Sequence, residues 1–282
     1  MHQIKKKEEK QKDMGTKAIK EKQAVENIVK SGKLTVGNKT IDISDKLNNY
    51  ESKEYRQKDI DKIDTKLFEK CSNTCTFKVI ANGSETVAFR DEYKDKQICV
   101  LNFASSRYPG GGFLTGAVAQ EEVLCYNSNL HSILSKHEKF YDYNRTHLCD
   151  GQYSDGIIFT KNCLFFRNKY INIEPKFVDI ITCAAPNAGA ARKNGISEAE
   201  IECTMSRRIE QILKVAIANN VKILALGAFG CGVFKNDPYK VASIMHTILE
   251  IRGYGDYFEE VIFPMNGTIG DNVKAFVKEF KN

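Results

Sequence analysis

Long apolar runs are missing from this chain of 282 residues. None approaches the roughly 18 residues that a membrane-spanning helix needs, so no contact with a membrane is expected. The first residues, Met1-His2-Gln3-Ile4-Lys5-Lys6-Lys7, hold no apolar h-region, and a secretory signal is not read there. Prolines number only five, and repeats and low-complexity linkers are lacking, so composition marks no firm domain boundary. Metal-ligand spacing is absent as well. The nine cysteines, at positions 71, 75, 99, 125, 149, 163, 183, 203 and 231, include no C-x-x-C pair. The five histidines, at 2, 131, 137, 147 and 246, offer no H-x-x-x-H helix face. No metal and no other cofactor is called for. The cysteines read as reduced, mostly small core residues of a cytoplasmic protein.

What is present is the profile of an ordinary globular protein, with 42% hydrophobic and 28% charged residues. A chain of this length can bury a sizeable core in one large domain, or in one domain with an appendage. Residues 1–30 hold nine lysines against five acidic residues, so most of the net charge of +6 sits at the start of the chain. A basic head on a near-neutral body reads as a solvated helix face, and no specific nucleic acid is expected as a partner. Ile19, Val25, Ile28 and Val29 give that segment an amphipathic helical pattern. A short hairpin about Gly37-Asn38 is expected over 35–43, followed by a polar, irregular stretch over 44–70.

From about residue 77 strand and helix alternate. Strands are expected at 77–81, 98–103, 156–160, 163–167, 179–184, 221–226 and 260–264, several as continuous apolar runs that suit strands covered on both faces. Ser197 and Glu200 form a capping box ahead of Ile201, Met205, Ile209, Ile212 and Ala216 at helical spacing, with Asn219-Asn220 as the stop. A second helix is expected from Pro238 to Arg252, closed by Gly253. Such alternation implies a layered α/β fold with ligands at the carboxyl ends of the strands.

Two glycine-rich segments follow two of the strongest strands, and glycine backbones can form concave N–H nests for phosphate. In the later one, Gly227-Ala228-Phe229-Gly230-Cys231-Gly232-Val233-Phe234, the spacing of Gly227 and Gly232 matches a P-loop. Val233 stands where that loop needs lysine, which excludes an NTPase. Lys235 replaces the last glycine of a G-x-G-x-x-G fingerprint and excludes the Rossmann reading. A diphosphate cradle of another type remains. The earlier segment puts Gly110, Gly111 and Gly112 shortly before Gln120-Glu121-Glu122, the first turn of an expected helix. Acids there are favoured by the helix dipole, which alone could account for the pair. Adjacent helical residues splay by about 100°, so the two carboxyl groups cannot both face one bond. One suits proton transfer and the other ribose hydroxyls. A carboxyl group desolvated beside a like charge would have a raised pKa and could donate a proton near neutrality.

Three glycines, a seven-residue spacer and Gln120-Glu121-Glu122 resemble the signature of microbial-type poly(ADP-ribose) glycohydrolases, a branch of the macrodomain fold. Asn102-Phe103-Ala104, Ala184-Ala185-Pro186-Asn187 and the segment 227–234 resemble family segments in family order. The resemblance implies a macrodomain-like three-layer α/β/α sandwich with a mixed sheet. It implies an N-terminal helical and hairpin extension over 1–70, packed on a catalytic core over 71–282. It implies that Glu122 protonates the departing ribose oxygen and then deprotonates the attacking water, while Glu121 holds the hydroxyls of the cleaved ribose. Gln120 and Gly110, Gly111 and Gly112 would shape that site. Gly230, Cys231, Gly232 and Val233 would cradle the diphosphate, with Phe229 in the same loop and Phe234 on the ribose, and Asn102 would touch a ribose. The substrate would be poly(ADP-ribose) or ADP-ribosylated protein, the product ADP-ribose, and the enzyme a monomer needing no metal. Two other readings stay open: a hydrolase of single ADP-ribose units, and a non-catalytic ADP-ribose reader, which could dispense with the acid.

Overall fold

The fold is taken from a computed structural model that describes residues 2–81, 83–147 and 150–280. Nine strands lie among these residues: β1 (Lys33–Val36), β2 (Lys39–Asp42), β3 (Glu51–Tyr55), β4 (Thr76–Ile80), β5 (Cys99–Phe103), β6 (Ile157–Asn168), β7 (Ile171–Cys183), β8 (Ile223–Ala225) and β9 (Glu260–Pro264). The helices are α1 (His2–Ser31), α2 (Ser44–Asn48), α3 (Gln57–Ile60), α4 (Ser84–Val87), α5 (Gln120–Asn127), α6 (Leu130–Leu134), α7 (Glu138–His147), α8 (Ala188–Lys193), α9 (Glu198–Ala218), α10 (Pro238–His246) and α11 (Asp271–Phe280).

Apart from the β1–β2 hairpin, the strands form one seven-stranded sheet in the order β3-β6-β7-β5-β8-β9-β4. β4, β9, β8, β5 and β7 run parallel, and β6 opposes both β7 and β3. The mixed sheet is therefore read along its length, with one reversed strand. Strand residues alternate between its two faces. Cys99, Leu101, Ile181 and Phe263 point to a core shared with Ile209 and Ile212 of α9, Met245 of α10 and Phe276 of α11. Val100, Ile180 and Ile262 point to the opposite core, with Leu124 of α5, Ile133 of α6, Tyr141 of α7 and Val25 and Ile28 of α1. Helix, sheet and helix thus stack as the three layers expected. A mixed α/β sandwich of this kind buries its continuous apolar strands on both sides.

The local signals behave as their chemistry requires. Ser197 Oγ accepts the Glu200 N–H at 3.3 Å and Glu200 Oε2 accepts the Ser197 N–H at 3.0 Å, a reciprocal cap worth about 1 kcal/mol. Asn220 adopts φ +55 at the stop of α9, and Gly253 adopts φ +72 beyond the α10 segment. Several features differ from the expectation. The strands expected at 156–160 and 163–167 are one strand, β6, interrupted by a bulge between Thr160 and Cys163 where Asn162 takes φ +59. The stretch 44–70 is not irregular: it holds α2, β3 and α3. β3 reads Glu-Ser-Lys-Glu-Tyr because an edge strand exposes much of its length and needs little apolar alternation. Ile19, counted in the apolar face of α1, stays 41% exposed. The eight described cysteines are free thiols, while Cys149 lies outside the described residues.

Candidate active site

The carboxyl ends of β5, β7, β8 and β9 open on a cavity of about 920 Å³, within the size range of small-molecule pockets. Its walls come from the loop after β5, the first turn of α5, the glycine loop after β8 and the segment after β9.

The loop after β5 leads back into α5 through a set of short contacts. Gln120 clips the helix to the strand: its Oε1 accepts the Phe103 N–H at 2.8 Å and its Nε2 donates to the Leu101 carbonyl at 2.8 Å. Glu121 and Glu122 follow, 2% and 6% exposed. Glu121 Oε2 accepts the Ser105 N–H at 2.7 Å, and its Oε1 accepts from Asn102 Nδ2 at 3.2 Å. Glu122 Oε1 accepts the Gly112 N–H at 2.7 Å, and its Oε2 accepts the Ala119 N–H at 2.8 Å. The dipole-and-cap role of such an acid is therefore real for Glu122, yet the residue also lines the cavity.

The three glycines pack directly behind these acids. Gly111 has φ +59, and a Cβ there would collide with Glu122 Oε1 and come within 2.9 Å of Glu121 Oε2. A side chain at Gly112 would meet Ala117 Cβ at 2.6 Å, and one at Gly110 would meet the His131 ring at 2.8 Å. The glycine run brings the backbone up against both carboxylates. Burial pushes the Glu121 carboxyl up to about 8; the Ser105 N–H pulls it down and the Glu122 charge pushes it up again. The raised pKa, expected of the acid that donates the proton, is thus found on Glu121, to which the resemblance gives the ribose hydroxyls.

Across the cavity, Gly227 and Gly230 take φ +67 and +75. Gly230 leaves no room for a side chain, since a Cβ would lie 2.6 Å from Ala185 Cβ. Gly232 is different: its φ is not positive and a Cβ there would meet nothing within 4 Å. The fold does not demand a glycine at 232; its missing side chain leaves space in the cavity. Val233, 77% exposed, and Phe234 line that space.

Glu121, Glu122, Gln120, Gly230, Gly232, Val233 and Phe234 therefore share one cavity, whereas Asn102, Gly110, Gly111, Gly112, Phe229 and Cys231 do not line it. Asn102 is fully buried, between Glu121 and Thr182, and steadies Glu121 from behind. Phe229 is a core residue set edge-on to Phe103 at 5.8 Å. Cys231 turns its thiol to the Phe229 carbonyl, and burial pushes that thiol up to about 12. Sequence reasoning left out Arg107, Tyr108, Tyr153 and Tyr170, which also line the cavity. Arg107 and Tyr108 stood beside the glycine run; Tyr153 and Tyr170 carry no local signal. Among the described residues no three His, Cys, Asp or Glu side chains converge as metal ligands would, and no helix is long and apolar enough to cross a membrane.

The sequence model of the family described as microbial-type PARG, catalytic domain, matches residues 22–168, just over half of the chain and all of the glycine and glutamate segment. This chain belongs to the microbial-type poly(ADP-ribose) glycohydrolases. Solved structures agree. The poly(ADP-ribose) glycohydrolase of Thermomonospora curvata is 28% identical and superimposes with a TM-score of 0.86 over 94% of this chain and 100% of that one. The same enzyme bound to the inhibitor ADP-HPD gives 28% identity and a TM-score of 0.84, covering 93% and 99% of the two chains. The Deinococcus radiodurans enzyme in complex with ADP-ribose is 31% identical, with a TM-score of 0.74 over 84% of this chain and 96% of that one. A search of curated proteins returned no match. As a microbial-type glycohydrolase, the protein is a glycosidase that acts on poly(ADP-ribose).

Proposed function

We propose that Glu122 is the acid and base with which this glycohydrolase opens the ribose–ribose bond of poly(ADP-ribose) and releases ADP-ribose. The observation that carries the assignment is the seating of the Glu122 carboxylate at the cavity wall between two backbone N–H donors, with Gly111 cleared away behind it. The two N–H donors hold the carboxyl group in place at the cavity wall while its proton passes to the departing ribose oxygen. The same carboxylate then takes a proton from the water that attacks the oxocarbenium-like carbon. Glu121, splayed from Glu122 along the helix and held by Ser105 and Asn102, binds the hydroxyls of the ribose being cleaved.

The diphosphate of the same unit rests on backbone N–H groups of residues 230–233, where Gly232 leaves room for it, and Phe234 packs on the ribose. Asn102, Gly110, Gly111 and Gly112 serve the site by placing the two acids, and Phe229 and Cys231 by shaping the loop. Proton transfer by a carboxyl group and phosphate binding by N–H groups need no metal ion, and the enzyme works without one. It acts as a monomer in the cytoplasm, in keeping with its free thiols. Residues 1–70 act as an extension of the 71–282 core, lending β3 to the sheet and α1 to the loop that holds Glu122. Incubation of the purified protein with poly(ADP-ribose) should yield free ADP-ribose. Release from singly modified protein but not from polymer would reverse the substrate assignment.

A further inference from the structure

One wall of the cavity stands outside the glycine and glutamate segments and is held in a strained conformation. Tyr153 lines the cavity with φ +59, a left-handed backbone that an aromatic residue seldom adopts without support. Its ring lies 6.1 Å from that of Phe234 in the glycine loop, and the Arg107 guanidinium sits 6.0 Å above it. The support comes from α9. Arg208 is fully buried, and its donors diverge to four oxygens. Nε donates to Asp155 Oδ1 at 2.9 Å and Nη1 to the Ala184 carbonyl at 2.8 Å, while Nη2 donates to the Tyr153 carbonyl at 3.1 Å and to the Gln152 carbonyl. A guanidinium removed from water is costly unless its hydrogen bonds are made, and three of these four go to the loop that carries Tyr153. Thr204 and Arg207, on the same face of α9, tie down Gln152 and Asp155 of that loop.

We propose that Arg208 is a positioning residue for substrate binding. It fixes Tyr153 against Phe234, so that the two rings form the wall receiving the ribose end of the ADP-ribose unit. The inference rests on the glycohydrolase reading of the cavity. Arg208 acts on affinity and not on the proton transfer at Glu122, because it touches neither the glutamates nor the cavity.

The test is a double-mutant cycle between Arg208 and Tyr153, read both as KM and kcat on polymer and as the Kd of ADP-ribose. Arg208→Lys keeps a charge opposite Asp155, but a lysine ammonium lacks the planar fork that reaches Ala184, Gln152 and Tyr153 together. It should raise KM and Kd roughly tenfold with kcat within about twofold, as Tyr153→Ala should, and the combined variant should be no weaker than Tyr153→Ala alone. Multiplying effects, or a fall in kcat at unchanged KM, would overturn the proposal. If Arg208→Lys does not fold, Thr204→Val removes the neighbouring hydrogen bond from α9 to Gln152 and so loosens the same loop at constant shape. It should raise Kd about threefold in the parent chain and leave it unchanged in the Tyr153→Ala chain. An unchanged Kd in the parent would overturn the proposal equally. A parent protein that binds ADP-ribose yet releases none from polymer would sink the glycohydrolase reading, while the Kd arm would still decide the role of Arg208.

Discussion

At Gly111 a missing side chain and two buried acids meet, and the chemistry of the site depends on that meeting. The positive φ and the closeness of both carboxylates make Gly111→Ala a severe change. Backbone strain of about 1 kcal/mol is the smaller part. The new methyl group must displace Glu122, and a shift of about 1 Å at such a group can cost on the order of 100-fold in rate. We expect kcat on polymer to fall by that order with only a modest loss of Tm, measured on the same preparation. Glu121 supplies a second prediction. Burial holds its carboxyl near 8, above the usual 4.5, so the folded state keeps a proton that the unfolded chain gives up. The stability this brings is complete below pH 4.5 and is lost as pH rises through 8. Glu121→Gln stays neutral at all pH. The Tm of the variant should therefore gain on that of the parent from pH 5 to pH 9; a constant difference would show that Glu121 does not titrate in that window. The glycines and acids lie close together in the chain, so their resemblance to the family signature marked them as a candidate site in the sequence. Arg208 and Tyr153 were not legible there, because only the fold brings a helix residue to a loop so distant in sequence. Phe229 was grouped with the binding loop because its neighbours Gly230 and Gly232 face the cavity, while its own ring turns inward to Phe103.

Among the elements, α1 and the β6–β7 hairpin brace the loop that holds Glu122. A Cβ on Gly116, φ +83, would stand 2.9 Å from the Gly15 carbonyl, so α1 rides directly on that loop. The helix is locked there by Glu21, whose Oε2 pairs with Arg167 Nη2 at 2.6 Å, while Arg167 Nη1 donates to the Tyr126 carbonyl of α5 at 3.3 Å. Arg167 is buried, and removing one partner of a buried pair costs about 3 kcal/mol or more. Glu21→Ala should lower Tm by several degrees in calorimetry, and an unchanged Tm would mean that α1 is not seated through this pair. The patterns that predicted elements well were those set by burial. β5, β8 and β9 sit mid-sheet and read as apolar runs; the edge strand β3 does not, and its polar sequence hid it. The bulge at Asn162 split β6 in the sequence pattern because polar Lys161 and Asn162 interrupt its apolar run.

For the molecule as a whole, the parallel strands deliver the acids, the glycine loop and the aromatic wall to one end of the sheet, and the helical layers on both faces hold them there. In the function proposed above, that arrangement gives one side of the cavity to proton transfer at Glu122 and the other to the phosphates. The most direct test is Glu122→Gln, which keeps the shape of the side chain but has no proton to give. We expect release of ADP-ribose from poly(ADP-ribose) to fall by 10²–10⁴-fold, on the order expected for loss of a general acid, while the Kd of ADP-ribose stays within about threefold of the parent. Turnover near the parent rate would contradict the account.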